Sequence, residues 1–292
     1  MKREYRYTII AAPSIPAWLV WSACVLALAI SLGISFRGAW QGSPEFIIVT
    51  NGARWLMGLS VGALLGLAGA TLPIFFRDRA SPPVVFGVSS GAALGCALGF
   101  TFFDMPGLVL GGLAGAGLFY SVTLTVHHGT GRGRHLLTCL AMVLMLMAAL
   151  YASTLNQVAY GLPRDLTWWL LGDVGHAEWV SALFVTLLAV GMLLAAWNNF
   201  GRRWLGWLAV GTAMVVAGPI AFLSWFAFCT VQSRTGGEWR SAQIQAAFVG
   251  AVVLLTVDSV QRTLIGPYAF GLNVPIALLG VPLYLFWGRR SA

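Results

Sequence analysis

The chain has 292 residues, of which 59% are hydrophobic and only 9% charged, against about 25% charged in a typical soluble domain. Apolar runs long enough to span a bilayer follow one another with little hydrophilic chain between them, which excludes a soluble catalytic domain and predicts an all-α, polytopic membrane helix bundle. The net charge of +8 does not point to nucleic acid, because the basic residues stand in small groups at the ends of apolar runs, where membrane topology is written.

The basic start MKREYRY opens a cytoplasmic segment over residues 1–14. The run that follows lacks a convincing cleavage site and reads as a retained first helix. Ten spans are predicted, at about 15–36, 53–76, 84–103, 106–126, 136–156, 178–198, 204–217, 219–232, 241–263 and 273–288, forming one domain over 1–292. Gly218-Pro219 separates the two short spans, and a single long span broken there is the competing reading. With a cytoplasmic N-terminus and ten crossings, 13 of the 17 basic residues fall on the cytoplasmic side, and the C-terminal Arg289 and Arg290 return to it. Between the fifth and sixth spans, residues 161–172 read as a short interfacial helix carrying Trp168 and Trp169, with Trp204 and Trp207 similarly placed at the inner surface. Cys24, Cys96, Cys139 and Cys229 lie in four different runs and read as small buried hydrophobes. His127 and His128 are adjacent and would point about 100 degrees apart on a helix, so no metal site is assigned.

The stretch from Gly62 to Gly95 concentrates the motifs. Glycine weakens an isolated helix by about 1 kcal/mol relative to alanine, but small residues let membrane helices approach closely. Val61-Gly62-Ala63, Ala68-Gly69-Ala70 and Phe86-Gly87-Val88-Ser89-Ser90-Gly91-Ala92 flank a charged turn, and further along stand Trp169-Leu170-Leu171-Gly172, Ala217-Gly218-Pro219-Ile220-Ala221-Phe222, Asp258 to Arg262, and Leu279-Gly280-Val281-Pro282. In this order, over roughly residues 50 to 290, the set resembles the permease subunits of the type II ABC importers that take up iron–siderophore, haem and cobalamin.

That resemblance implies a ten-helix subunit of a bacterial inner membrane. It would pair with a second permease subunit around a central pathway, above two cytoplasmic ATPase subunits and below a periplasmic substrate-binding protein. No cofactor is implied, and ATP hydrolysis belongs to another chain. Two departures stand out. The Asn-Pro-Leu-Ala turn that helps form the family's cytoplasmic gate reads Asp78-Arg79-Ala80-Ser81 here. The family's segment of about 20 residues that docks into the ATPase is replaced by Asn198 to Arg203, and six residues cannot hold a coupling helix and return. The partner permease is therefore expected to carry most of the ATPase contact.

Individual residues keep two readings each. Ser89 and Ser90, with Gly91, offer hydroxyls to a substrate in the pathway, or they form a close helix–helix contact. Asp78 and Ala80 take the family's gate positions, or the Arg77-Asp78-Arg79 turn is plain topology charge. Arg54 stands where the family's arginines meet glutamates of the binding protein, or it is an interfacial anchor. Asp258 and Arg262 share one helical face and read as a structural ion pair, with a proton relay as the alternative. The expected function is import of an iron–siderophore or similar metal chelate, with a non-transporting membrane scaffold or regulatory subunit as the alternative. A membrane enzyme finds no supporting residues beyond scattered histidines.

Overall fold

A computed structural model of the chain describes residues 17–36, 44–76, 82–127, 143, 169, 171–175, 177–198, 202–220, 222–232, 239–265 and 271–290. Among the described residues the regular structure is helical, with no strand: α1 (Ala17–Phe36), α2 (Pro44–Phe76), α3 (Pro82–His127), α4 (Trp179–Trp197), α5 (Arg202–Ala217), α6 (Leu223–Gln232), α7 (Trp239–Ile265) and α8 (Asn273–Arg290). Four stretches, Asn51–Leu72, Met105–Val122, Trp179–Trp197 and Arg240–Leu264, are long and apolar enough to cross a membrane. The predicted span at 136–156 and the charged turn at 77–81 lie outside the described residues, Met142–Leu144 being represented by Val143 alone.

α2 occupies the centre, and its glycines explain how. A β-carbon on Gly62 would come within 2.6 Å of the Ala251 Cα, and one on Gly66 would overlap the Ala246 carbonyl. Gly250 meets Gly62 and Gly66 from the other side, so α2 and α7 run antiparallel with their backbones in contact. One turn further along α2, Gly69 abuts the Ser224 carbonyl of α6. Larger side chains fill the remaining space, and Leu64, Leu65, Leu67, Leu72, Met214, Leu223, Leu254 and Leu255 are fully buried. A bilayer gives little hydrophobic drive between helices, so this close packing carries the cohesion of the bundle.

α3 would be about 69 Å long if straight. Instead it doubles back between Gly99 and Gly107, through the exposed Phe102, Phe103 and Met105 and past Pro106. Gly91, Gly95 and Gly99 on one arm abut Gly115, Gly111 and Gly107 on the other; a β-carbon on any of the last five would overlap the opposing backbone, and one on Gly91 would strike the Phe119 side chain. The two arms correspond to the predicted spans 84–103 and 106–126. The second arm then packs antiparallel on α5, with Gly112 against Val215, Ala116 against Gly211 and Gly117 against Trp207.

The α5–α6 connection is a second reversal. α5 stops at Ala217, and Gly218 (φ 71°) and Phe222 (φ 62°) adopt left-handed backbone on either side of Pro219 and Ile220. Gly218 can do so freely, whereas at Phe222 the conformation costs about 1–2 kcal/mol. α6 then returns toward the beginning of α7, where Trp225, Phe228 and Val231 pack with Ala242, Ala246 and Val249. At 10 residues α6 is only about 15 Å long, too short to cross a hydrocarbon core by itself. The two short spans predicted at 204–217 and 219–232 are seen as α5 and the shorter α6, joined through the buried Gly218, Pro219 and Ile220.

Candidate functional site

The antiparallel register that seats Gly62 on Gly250 brings Arg54, two turns earlier on α2, opposite Asp258, two turns later on α7. Arg54 donates from Nη2 to Asp258 Oδ1 at 2.6 Å and from Nε to Oδ2 at 3.2 Å. Arg262, one turn along α7, approaches the same carboxylate, its Nε 3.3 Å from Oδ2. Arg262 also donates from Nη2 to Ser35 Oγ at 2.9 Å, and Asn51 donates to the Ser35 carbonyl at 2.8 Å, which ties in the end of α1. One turn deeper, the Ser31 and Ser259 hydroxyls meet at 2.7 Å.

A loop completes the arrangement. Asp173 accepts a hydrogen bond from the Gly175 amide at 2.7 Å, and the space beside Gly175 Cα is taken by Asp173 and by Nη1 of Arg54. Two guanidiniums thus face two carboxylates, and the Asp258 side chain is only 6% exposed against 21% for Arg54. The Thr71–Gln243 hydrogen bond at the other end of the same helix pair lies about 26 Å away along α2. That length is close to a hydrocarbon core of about 30 Å, and the ionic cluster lies at the end of the helix pair opposite Arg240.

The other motifs converge on a junction below this cluster. Gly172 (φ 78°) closes a turn in which its amide donates to the Trp169 carbonyl at 2.9 Å. The next amide, Asp173, donates to the Ala217 carbonyl at 3.0 Å and so satisfies an acceptor at the end of α5. The amides of Leu272 and Asn273 donate to the carbonyls of Gly172 and Leu171 at 2.7 and 3.0 Å, which fixes the start of α8. Gly218 lies against the Trp169 carbonyl, Gly271 against Leu171, and Gly280 against Phe222. The Trp169 indole donates to the Val215 carbonyl at 3.2 Å and packs on Ala93 and Ala97 of α3. The motif glycines are therefore positions where helix ends and backbones meet.

On α3, Ser90 is buried and Ser89 half-buried, immediately before Gly91 at the start of the glycine seam, and Gly91 lies under the ring of Phe119. Asp78 and Ala80 lie outside the described residues. The structure thus brings Arg54, Asp258 and Arg262 together at one end, while Ser89, Ser90 and Gly91 belong to a separate part of the bundle. The pairing of Arg54 with Asp258 escapes local sequence reasoning because it depends on how α2 and α7 align. The matched spacing of Gly62 to Arg54 and Gly250 to Asp258 is the signal that would have found it.

Close-packed, glycine-seamed apolar helices joined by buried turns define a polytopic helical membrane protein. The profile of the FecCD transport family matches residues 14–205 and 204–290. The chain belongs to the FecCD transport family. It is 27% identical over 321 residues to the iron(3+)-hydroxamate import system permease protein FhuB of Bacillus subtilis strain 168, covering 94% of this chain and 83% of that protein. It is also 27% identical over 307 residues to the hemin transport system permease protein HmuU of Yersinia pestis, covering 88% of each. Among solved structures, a metal-chelate type ABC transporter in an inward-facing conformation shares the fold, with a TM-score of 0.68, 22% identity, and coverage of 91% of this chain and 97% of that one. The family match divides at Trp204–Leu205, beside the short α4–α5 connection.

Proposed function

We propose that this chain is the membrane-spanning permease subunit of a binding-protein-dependent ABC importer for an iron–siderophore or similar metal chelate. The observation that carries the reading is the FecCD family match over residues 14–205 and 204–290. Relatives named for hydroxamate, haem, ferric citrate and vitamin B12 import support a substrate of the large-chelate class. Their names favour transport over the scaffold alternative.

In this proposal the subunit sits in a bacterial inner membrane as a bundle of about ten helices, α6 among them too short to cross alone, with both termini cytoplasmic, and forms half of a pathway completed by a second permease. Alternating access rocks the helices around Ser89, Ser90 and Gly91. Asp78 and Ala80 stand at the cytoplasmic gate, and a periplasmic binding protein docks at the surface carrying Arg54. The partial exposure of Arg54 at that end supports its role in docking. Cytoplasmic ATPase subunits supply the energy. The connection from α4 to α5 spans only residues 198–201, which supports a heterodimer whose other permease carries most of the ATPase contact.

Affinity purification in mild detergent tests this assembly. A second permease and an ATPase should co-purify with the chain. A stable complex that contains neither would refute the transport assembly.

A further inference from the structure

The short α4–α5 connection leaves an open groove between the two helices, about 670 Å³ in volume, whose lining includes Leu187, Leu188, Gly191, Met192, Trp204 and Leu205. The lining is apolar apart from the Trp204 indole nitrogen. The groove opens on the bundle's outer face, where Leu187 and Trp204 are strongly exposed. A β-carbon added to Gly191 would meet nothing within 4 Å, so this glycine faces free space.

Charge distinguishes one end of the groove. α5 begins Arg202-Arg203-Trp204, with no acidic residue in its first turn, and α4 contains none at all. Asn198, Asn199, Phe200 and Gly201 join them without adding charge. The positive end of the α5 dipole coincides with the two arginines, and exposed Trp204 suits the headgroup layer. An apolar slot within the membrane, ending at the helix start that carries Arg202 and Arg203 in sequence, is complementary to an amphiphile with a hydrocarbon tail and an anionic head.

We propose that this groove binds an anionic phospholipid, with an acyl chain between α4 and α5 and the phosphate at the Arg202–Arg203 end. The site does not depend on the transport reading.

The test is native mass spectrometry of the full chain taken from nanodiscs of equal phosphatidylglycerol and phosphatidylcholine. The wild type should retain phosphatidylglycerol in preference to phosphatidylcholine. Arg202→Gln and Arg203→Gln should each reduce that preference roughly fivefold, the attraction expected of one basic residue near the surface. Gly191→Phe, or Gly191→Leu if the larger side chain impairs folding, should abolish retention of the bound lipid in a correctly folded protein. Absence of a phosphatidylglycerol preference in the wild type overturns the proposal. So does lipid retention that survives a Gly191 substitution, or a Gly191 variant that lowers the oligomeric mass while leaving bound lipid unchanged, since the groove would then hold a protein helix.

Discussion

Asp258→Asn removes the carboxylate shared by two guanidiniums while preserving side-chain volume. Arg54 loses a bidentate partner at 2.6 and 3.2 Å, and Arg262 loses its ion-pair partner at 3.3 Å. Breaking a buried pair by deleting one member costs about 3–5 kcal/mol, because the remaining charge is left uncompensated. The arginines retain 21% and 22% side-chain exposure, so the lower end applies and a loss of about 3 kcal/mol is expected. That is roughly a hundredfold in the folded-to-unfolded ratio. Reversible unfolding of the purified protein in mixed micelles should register the loss. A double-mutant cycle with Arg54→Gln should give a coupling of about 1–3 kcal/mol. By comparison, Asp173→Asn in the adjoining loop should cost under about 1 kcal/mol. A loss below about 0.5 kcal/mol in Asp258→Asn, or no coupling to Arg54, would refute the argument that the α2–α7 register is locked by this pair.

Three further predictions concern glycines. Gly66→Leu forces a side chain into the Ala246 carbonyl and should cost at least about 1–3 kcal/mol, seen as aggregation in size-exclusion chromatography. Gly191→Ala enters open space and should be neutral or stabilising by up to about 1 kcal/mol. Gly218→Ala meets both a positive φ and the Trp169 carbonyl, so its melting temperature in detergent should fall by more than the left-handed strain of about 1–2 kcal/mol implies. The charge swap Arg54→Asp with Asp258→Arg separates structure from docking: stability should recover relative to either single variant, while uptake stays impaired because the charge offered to the binding protein has moved. Full recovery of uptake would assign Arg54 a purely structural role.

Hydropathy alone located the helices well where apolar runs have clear ends, as at Ala17–Phe36, Trp179–Trp197 and Asn273–Arg290. α2 begins at Pro44, nine residues before the predicted span, because Asn51 and Arg54 dilute an apolar window that the helix nonetheless crosses; their polar groups are satisfied by Ser35 and Asp258. The reversal in α3 was visible in Phe102-Phe103-Asp104-Met105-Pro106, although its backbone remains locally helical through the turn. Glycine at every fourth position between Gly91 and Gly99, and again between Gly107 and Gly115, announced a close seam, yet only the fold shows that each set is the other's partner. The site was less legible. Asp258 and Arg262 are four residues apart and meet by helical geometry alone, whereas Arg54 reaches Asp258 across 204 residues of sequence. Likewise, the Trp-Leu-Leu-Gly and Ala-Gly-Pro motifs give no hint of one another until Asp173 is seen donating to Ala217.

The central claim, that this chain is half of a chelate import pathway, is tested most directly by transport itself. The chain, purified with its co-isolated permease and ATPase, should be reconstituted into proteoliposomes with the binding protein outside and ATP in the lumen. The account predicts ATP-dependent accumulation of a radiolabelled ferric siderophore or related chelate, lost when the chain is omitted. Accumulation that is unchanged without this chain would contradict it.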